Sequence, residues 1–210
     1  AGLRPRGDGA DLEEAEARLV ANGVRVHWAE TAEGALTALR GIVREHDVKR
    51  AIKGKSMLTE ELGLNEHLEG LGVHVREADL GEYIVQMLGQ PPTHIVGPAI
   101  HLSLADCQRL FHERFGTPLD ADPDSLARAA REVLRQEFLA ADLGISGANF
   151  LAADTGTLAL IENEGNIRLS TSLPRVHVAF VGLEKLVPRL EDVAGLVQLT
   201  TRASTGQPLG

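Results

Sequence analysis

Three stretches of the chain carry residue types that do chemistry at spacings that would let them act together. Residues 53–56 read Lys53-Gly54-Lys55-Ser56 directly after an apolar run, and residues 79–83 read Asp79-Leu80-Gly81-Glu82-Tyr83 after another. Residues 144–175 form the densest polar segment. In the first stretch, two lysines and a hydroxyl at the start of a helix can hold an anion. It is not a phosphate loop, because the glycine that motif requires five positions before Gly54 is Lys49. The alternative is a solvated turn with a capping serine. In the second stretch, Asp79 or Glu82 could act as a general base outside the carboxyl end of a strand. The alternative is that Asp79 caps a helix and Glu82 offsets its dipole.

In the third stretch, Asp154-Thr155-Gly156-Thr157 places a carboxylate, two hydroxyls and a glycine that permits close backbone approach just before a strand. Glu162, Asn163, Glu164, Asn166 and Arg168 then crowd a turn. Two carboxylates two residues apart on a strand share a face, and their repulsion raises a proton affinity unless Arg168 offsets it. A solvent-exposed hairpin of mixed charge is the alternative. Other chemistries lack support. The eight histidines are scattered, without the zincin spacing, and no metal site is expected. Ser56 and Ser146 lack the nucleophile-elbow pattern. Cys107 lies on the apolar face of an expected helix and reads as a small buried hydrophobe.

The elements that position these groups follow from hydrophobic period. A helix is expected from a cap at Asp8 to a stop at Gly23, and a strand from the alternation of Val24, Val26 and Trp28. Thr31 starts a second helix. Val48 to Ile52 reads as a short buried strand. A helical stretch follows over residues 58–71 with a break at Gly63, and then a strand at Val73 and Val75. Residues 83–88 read as a helical turn or two, and His94-Ile95-Val96 as a short strand. Ser103 and Asp106 form a capping pair, and Asp122-Pro123 is a strong helix start. After Gly144 the pattern changes: Thr157 to Ile161 and Ile167 with Leu169 read as a β-hairpin. Val176 to Val181 is a further strand, Pro188 to Val197 a last helix, and residues 204–208 a loose tail.

Such alternation implies an α/β domain with a mixed, mainly parallel sheet flanked by helices. The 210 residues suit one large domain, here residues 23–203, preceded by a helical extension over residues 1–22 and followed by a loose tail over residues 204–210. Apolar residues make up 43% and aromatics only 3%, so the core must be aliphatic, and few rings remain to stack nucleic-acid bases. Twenty-one basic against 30 acidic residues gives a net charge of −9, which disfavours phosphate-backbone binding. One cysteine excludes an internal disulfide or a four-cysteine metal site. No run is long enough to span a membrane. Arg4 and Arg6 stand without an apolar run after them, so a cytoplasmic protein is expected.

Several segments taken together resemble the LUD domain, named for bacterial lactate utilization proteins. They are residues 22–29, 53–65, 79–86, 91–101 and 147–168, and Leu173-Pro174-Arg175-Val176-His177, spread in order over residues 20–207. The runs Glu162-Asn163-Glu164-Gly165-Asn166 and Ser204-Thr205-Gly206-Gln207 are closer to the B-type subunit than to the short C-type one. The resemblance implies a fold similar to the sugar-phosphate isomerase and CoA-transferase superfamily. It also implies a component of a multi-subunit iron–sulfur system that oxidises L-lactate to pyruvate. The chain would serve as its substrate-binding or assembly module, alongside other lactate utilization subunits. Iron–sulfur clusters are expected outside this chain, on a C-terminal region or a partner. An independent isomerase or acyl-transferase acting on an anionic small molecule, and a pure protein-interaction domain, are the other two readings. The candidate catalytic residues are Asp154, Glu162 and Arg168. The candidate anion-binding residues are Lys55, Ser56, Thr59, Glu60, Glu82, Asn149, Thr155, Gly156, Thr157 and Asn166. The lysine-bearing bend and the carboxylate-bearing segment are expected to line one hollow.

Overall fold

Four short strands carry the architecture, and their burial pattern sets which helix packs where. The computed structural model describes residues 9–93 and 97–206, so the expected strand at residues 94–96 and the cap at Asp8 lie outside the described residues. Helices α1 (Gly9–Ala21) and α2 (Ala32–Glu45) lead to strand β1 (Arg50–Lys53). Helices α3 (Met57–Glu61) and α4 (Leu64–Gly70) lead to β2 (His74–Glu77). Helices α5 (Leu80–Met87), α6 (Leu104–Phe115) and α7 (Pro123–Ala140) precede β3 (Leu143–Ser146). Then come β4 (Phe150–Ala152), β5 (Thr157–Ala159), α8 (Asn166–Ser172), β6 (Val176–Ala179), β7 (Leu186–Val187) and α9 (Leu190–Thr205).

Among the described residues, the main sheet has the order β2-β1-β3-β6 and every pairing in it is parallel. Side chains alternate across a strand. Ala51, Val75, Leu143 and Ile145 therefore pack with Leu39 and Val43 of α2 and Leu64 and Leu68 of α4 on one face. Ile52 points the other way, to Tyr83 of α5 and Leu134 and Phe138 of α7. Both faces are covered, as parallel sheets require. Edge strand β2 is sealed by α5: Gln86 donates to the Val75 carbonyl and accepts from the Glu77 amide.

Helix starts follow the capping signals. Thr31 accepts from the Gly34 amide and Asp122 from the Ser125 amide, and Ser103 with Asp106 forms a reciprocal capping box. Gly63 breaks the leucine-rich stretch between α3 and α4 with φ 60°. A smaller sheet, β5-β4-β7, packs Ala152 and Val187 against Val193 of α9.

Three expectations change. Residues 24–28 form no strand, and Val24 and Trp28 are exposed. Among the described residues the alternation has no neighbouring strand to satisfy its backbone groups. The hairpin is real but lies upstream: β5 pairs with β4, not with residues 167–169. Those residues belong to α8, where Asn166 and Ser170, one helical turn apart, are the buried pair and Leu169 is exposed. Here polar residues face inward, so the usual apolar-period signal is inverted. Glycine in β3 makes this possible. A Cβ on Gly144 would lie 1.8 Å from the Ser170 carbonyl oxygen, so α8 sits directly on the strand. Finally, α9 runs to Thr205 and is stopped by Gly206 at φ 71°, so residues 204 and 205 are helical rather than loose.

Candidate active site

The C-terminal residues of β1 and β2 are charged and buried. Lys53 continues the inward alternation of Ala51, and Glu77 that of Val75, and the two are register partners. Lys53 has no exposed surface and Glu77 only 4%. Lys53 Nζ lies 2.5 Å from Glu60 Oε1 of α3 and 3.0 Å from Glu77 Oε1. Burial alone would lower the pKa of this ammonium, but Glu77 and Glu60 outweigh it and the net shift is upward. Lys53 is therefore a fixed cation and not a nucleophile. Asn65 of α4 donates to Glu77 Oε1 at 2.6 Å.

Glu82 enters from the first turn of α5. Asp79 caps that helix by accepting from the Glu82 amide at 3.0 Å. A helix N-terminus favours the ionised carboxylate. Desolvation, with Glu77 close by, wins nevertheless, and the Glu82 pKa is pushed up to about 8. One oxygen each of Glu60, Glu77 and Glu82 lie within 4.8 Å of one another, a spacing that a cation could bridge. Lys53 already holds two of the three. Among the described residues, Glu77 Oε2, Glu82 Oε2 and Asn65 Oδ1 are buried without a hydrogen-bond partner. Unsatisfied buried carboxylate oxygens are costly and concentrate where a protein does chemistry.

Several of the residues singled out in the sequence gather here. Thr59 is fully buried and donates to the Ser56 carbonyl. Ser56 stands at the start of α3 without a side-chain capping bond, beside Gly147, where an added Cβ would lie 2.7 Å from its Oγ. Asn166 Nδ2 reaches the Ala78 carbonyl at 3.4 Å, and Ile167 rests on Gly54. Glu164 accepts from the Leu80 amide, near Asp79 and Lys55, and burial raises its pKa. The lysine-bearing bend thus meets residues 164–167 of the polar segment.

The other members sit elsewhere. Asp154 Oδ1 accepts from the Leu190 amide and closes the start of α9. The Thr155 carbonyl accepts from Asn22, and Gly156 admits the backbone of α1 at Arg18 and Leu19, so the close approach is made by the chain itself. Thr157 pairs with Ala152 in the small sheet, and Asn149 ties the hairpin through the Ile161 amide. Glu162 accepts from the Arg168 amide and Nε, which caps α8. Lys53 was read in the sequence only as one of two lysines of an anion-holding turn, and Glu77 and Asn65 were not singled out as site residues. The inward alternation past Ile52 and Val75 was the available signal. Ser146 Oγ is fully buried at 2.8 Å from His177 Nε2, and desolvation lowers the His177 pKa. A serine with no exposed surface is not placed to attack a ligand. Cys107 packs partly buried on α6, where burial raises its pKa.

A doubly covered parallel sheet defines an α/β protein, and its buried acid–base cluster lies at the strand carboxyl ends, where open α/β sheets gather ligand groups. The family profile described as LUD domain matches residues 12–209, and the chain belongs to that family. Its relatives include proteins named lactate utilization protein B. That of Oceanobacillus iheyensis is 46% identical over 187 residues, 89% of this chain and 39% of the relative. That of Geobacillus thermodenitrificans is 45% identical over 188 residues, 89% and 40%. That of Macrococcus caseolyticus is 44% identical over 192 residues, 91% and 40%. The chain therefore spans about two fifths of the length of these relatives. No solved structure matches the chain significantly. Among the described residues no helix is long and apolar enough to cross a membrane.

Proposed function

We propose that the chain acts in lactate utilization as the substrate-binding module of a multi-subunit iron–sulfur system that oxidises L-lactate to pyruvate. The supporting observation is 44–46% identity over about nine tenths of the chain to proteins named lactate utilization protein B. The buried cluster suits a small hydroxy acid. Lys55 and Ser56 on the neighbouring bend offer a cation and a hydroxyl for a carboxylate, while Glu60, Glu77 and Glu82 offer places for a hydroxyl proton. Lys53 keeps the carboxylates in position.

The electron carriers do not fit this chain. An iron–sulfur cluster takes four cysteine thiolates, and Cys107 stands alone. The chain's own share is to bind, to orient and to hold a proton, with other lactate utilization subunits as its partners. The purified chain is expected to be colourless and to lack lactate oxidation with an artificial electron acceptor.

Titration with L-lactate by calorimetry tests the binding role. Saturable binding that is lost in a folded Lys55→Ala variant is the expected result. Absence of lactate binding, together with undiminished growth on L-lactate when the protein is deleted from its host, would overturn the reading. A freestanding acid–base enzyme acting on a small organic acid is the second reading, favoured by a cluster complete within one chain. Turnover by the isolated chain without any electron acceptor would select it.

A further inference from the structure

The orphaned oxygens of Glu77 and Glu82 call for a positive partner that the described side chains around them do not supply. Glu82 is faced by Glu77 from β2, by Lys53 from β1 and by Glu60 from α3, with Asp79 at the cap of its own helix. That is one ammonium for three clustered carboxylates. Lys53 spends its contacts on Glu60 and Glu77, and Glu82 makes no ion pair within 4 Å among the described residues. Glu82 is 5% exposed and Glu77 4%, so bulk water does not solvate the remaining charge. Adjacent buried carboxylates in this position cannot both ionise freely.

We propose that Glu77 and Glu82 hold a single exchangeable proton between them, and that a small carboxylate binding at the site takes this proton up when the pair is ionised. The missing positive partner is a proton rather than a metal ion, because the enclosed ammonium of Lys53 already lies 3.0 Å from Glu77 and would repel a second cation. The upward displacement of the Glu82 pKa agrees with this. Glu60, the member with substantial exposure, lies on the side from which the proton exchanges. Protonation lowers the negative charge of the cluster by one, which is what an arriving anion requires. Anion binding is then linked to proton uptake, and above the pKa of the free pair the affinity falls by up to ~10-fold per pH unit. The shared proton stands independently of the lactate reading, whereas its uptake on carboxylate binding rests on that reading.

Carboxyl carbon NMR of the glutamate-labelled chain, assigned with Glu77→Gln and Glu82→Gln, tests the proton. The expected result is one linked step between about pH 7 and 9 that moves both resonances. In Glu82→Gln the step is lost; Glu77→Gln gives the reciprocal loss if the first variant does not fold. Both carboxylates ionised at about pH 6, or abolition of the step by millimolar Mg²⁺ at neutral pH, would overturn it. Calorimetry with L-lactate at about pH 9, in two buffers of different ionisation enthalpy, tests the linkage. Uptake approaching one proton, lost in Glu82→Gln, supports it, and lactate binding without proton uptake overturns it. If the NMR step is present while lactate does not bind, the shared proton stands and the lactate reading fails.

Discussion

The two sheets of this molecule treat polar residues in opposite ways. In the small sheet the Asp154 carboxylate and the Asn149 amide work for the backbone: Asp154 closes the start of α9 and Asn149 ties a hairpin, while Gly156 admits α1. Thr155 Oγ1 is the buried orphan there, and it is neutral. In the main sheet, Lys53, Glu77 and Glu82 are buried in a charge-crowded cluster with carboxylate oxygens left over. A high density of polar side chains is therefore not what sets the candidate site apart; unsatisfied buried charge at the strand carboxyl ends is. Satisfied polar groups stabilise a fold, whereas unsatisfied ones are kept at a cost that a function must justify.

Substitutions sharpen this contrast. The largest effect is expected from Lys53→Met, which strands the buried carboxylates and costs about 3–5 kcal/mol in denaturant unfolding at neutral pH. A loss within error would mean that the cluster carries little charge. Gly144→Ala drives a Cβ into the Ser170 carbonyl and lifts α8 from β3, for a loss of about 1–3 kcal/mol or more. Gly54→Ala meets only the end of the Ile167 side chain and should cost less.

The pH dependence has a definite sign. Glu82 holds its proton in the folded chain up to about pH 8, against 4.5 as its ordinary value. Its contribution to stability is complete below the ordinary value and is lost as pH rises to about 8. Wild type should lose on the order of 2 kcal/mol across that window, and Glu82→Gln should flatten the slope in melts taken at several pH values. The smallest effect is Asp154→Ala, which removes one helix-terminus bond and should cost ~1 kcal/mol without altering ligand binding. A loss of L-lactate binding in that variant would move the site to the small sheet.

Much of the main sheet was legible in the sequence. Short apolar runs at residues 48–52 and 73–75, and caps at Thr31, Asp79, Ser103 and Asp122, lie where the structure places them, because each depends on local contacts. Helix α8 was not legible, since its buried side is Asn166 and Ser170 and its fit depends on Gly144, more than 20 residues away. The strand expected at residues 24–28 had alternation but no partner strand among the described residues. Glu60 and Glu82 were visible as candidates. Lys53 was visible only as part of an anion-holding turn and Glu77 not at all, because a charged residue at the end of an apolar run looks like the start of a surface turn. Only the register of β1 against β2 turns both inward to the same place.

The most direct test compares Glu60→Gln with Asp154→Asn in a host whose growth on L-lactate depends on this protein, with melting curves confirming that both variants fold. The account predicts that Glu60→Gln slows growth on L-lactate by about tenfold or more while Asp154→Asn grows like wild type, a difference of ~1.4 kcal/mol or more at the site. Normal growth of Glu60→Gln with failure of Asp154→Asn would contradict it.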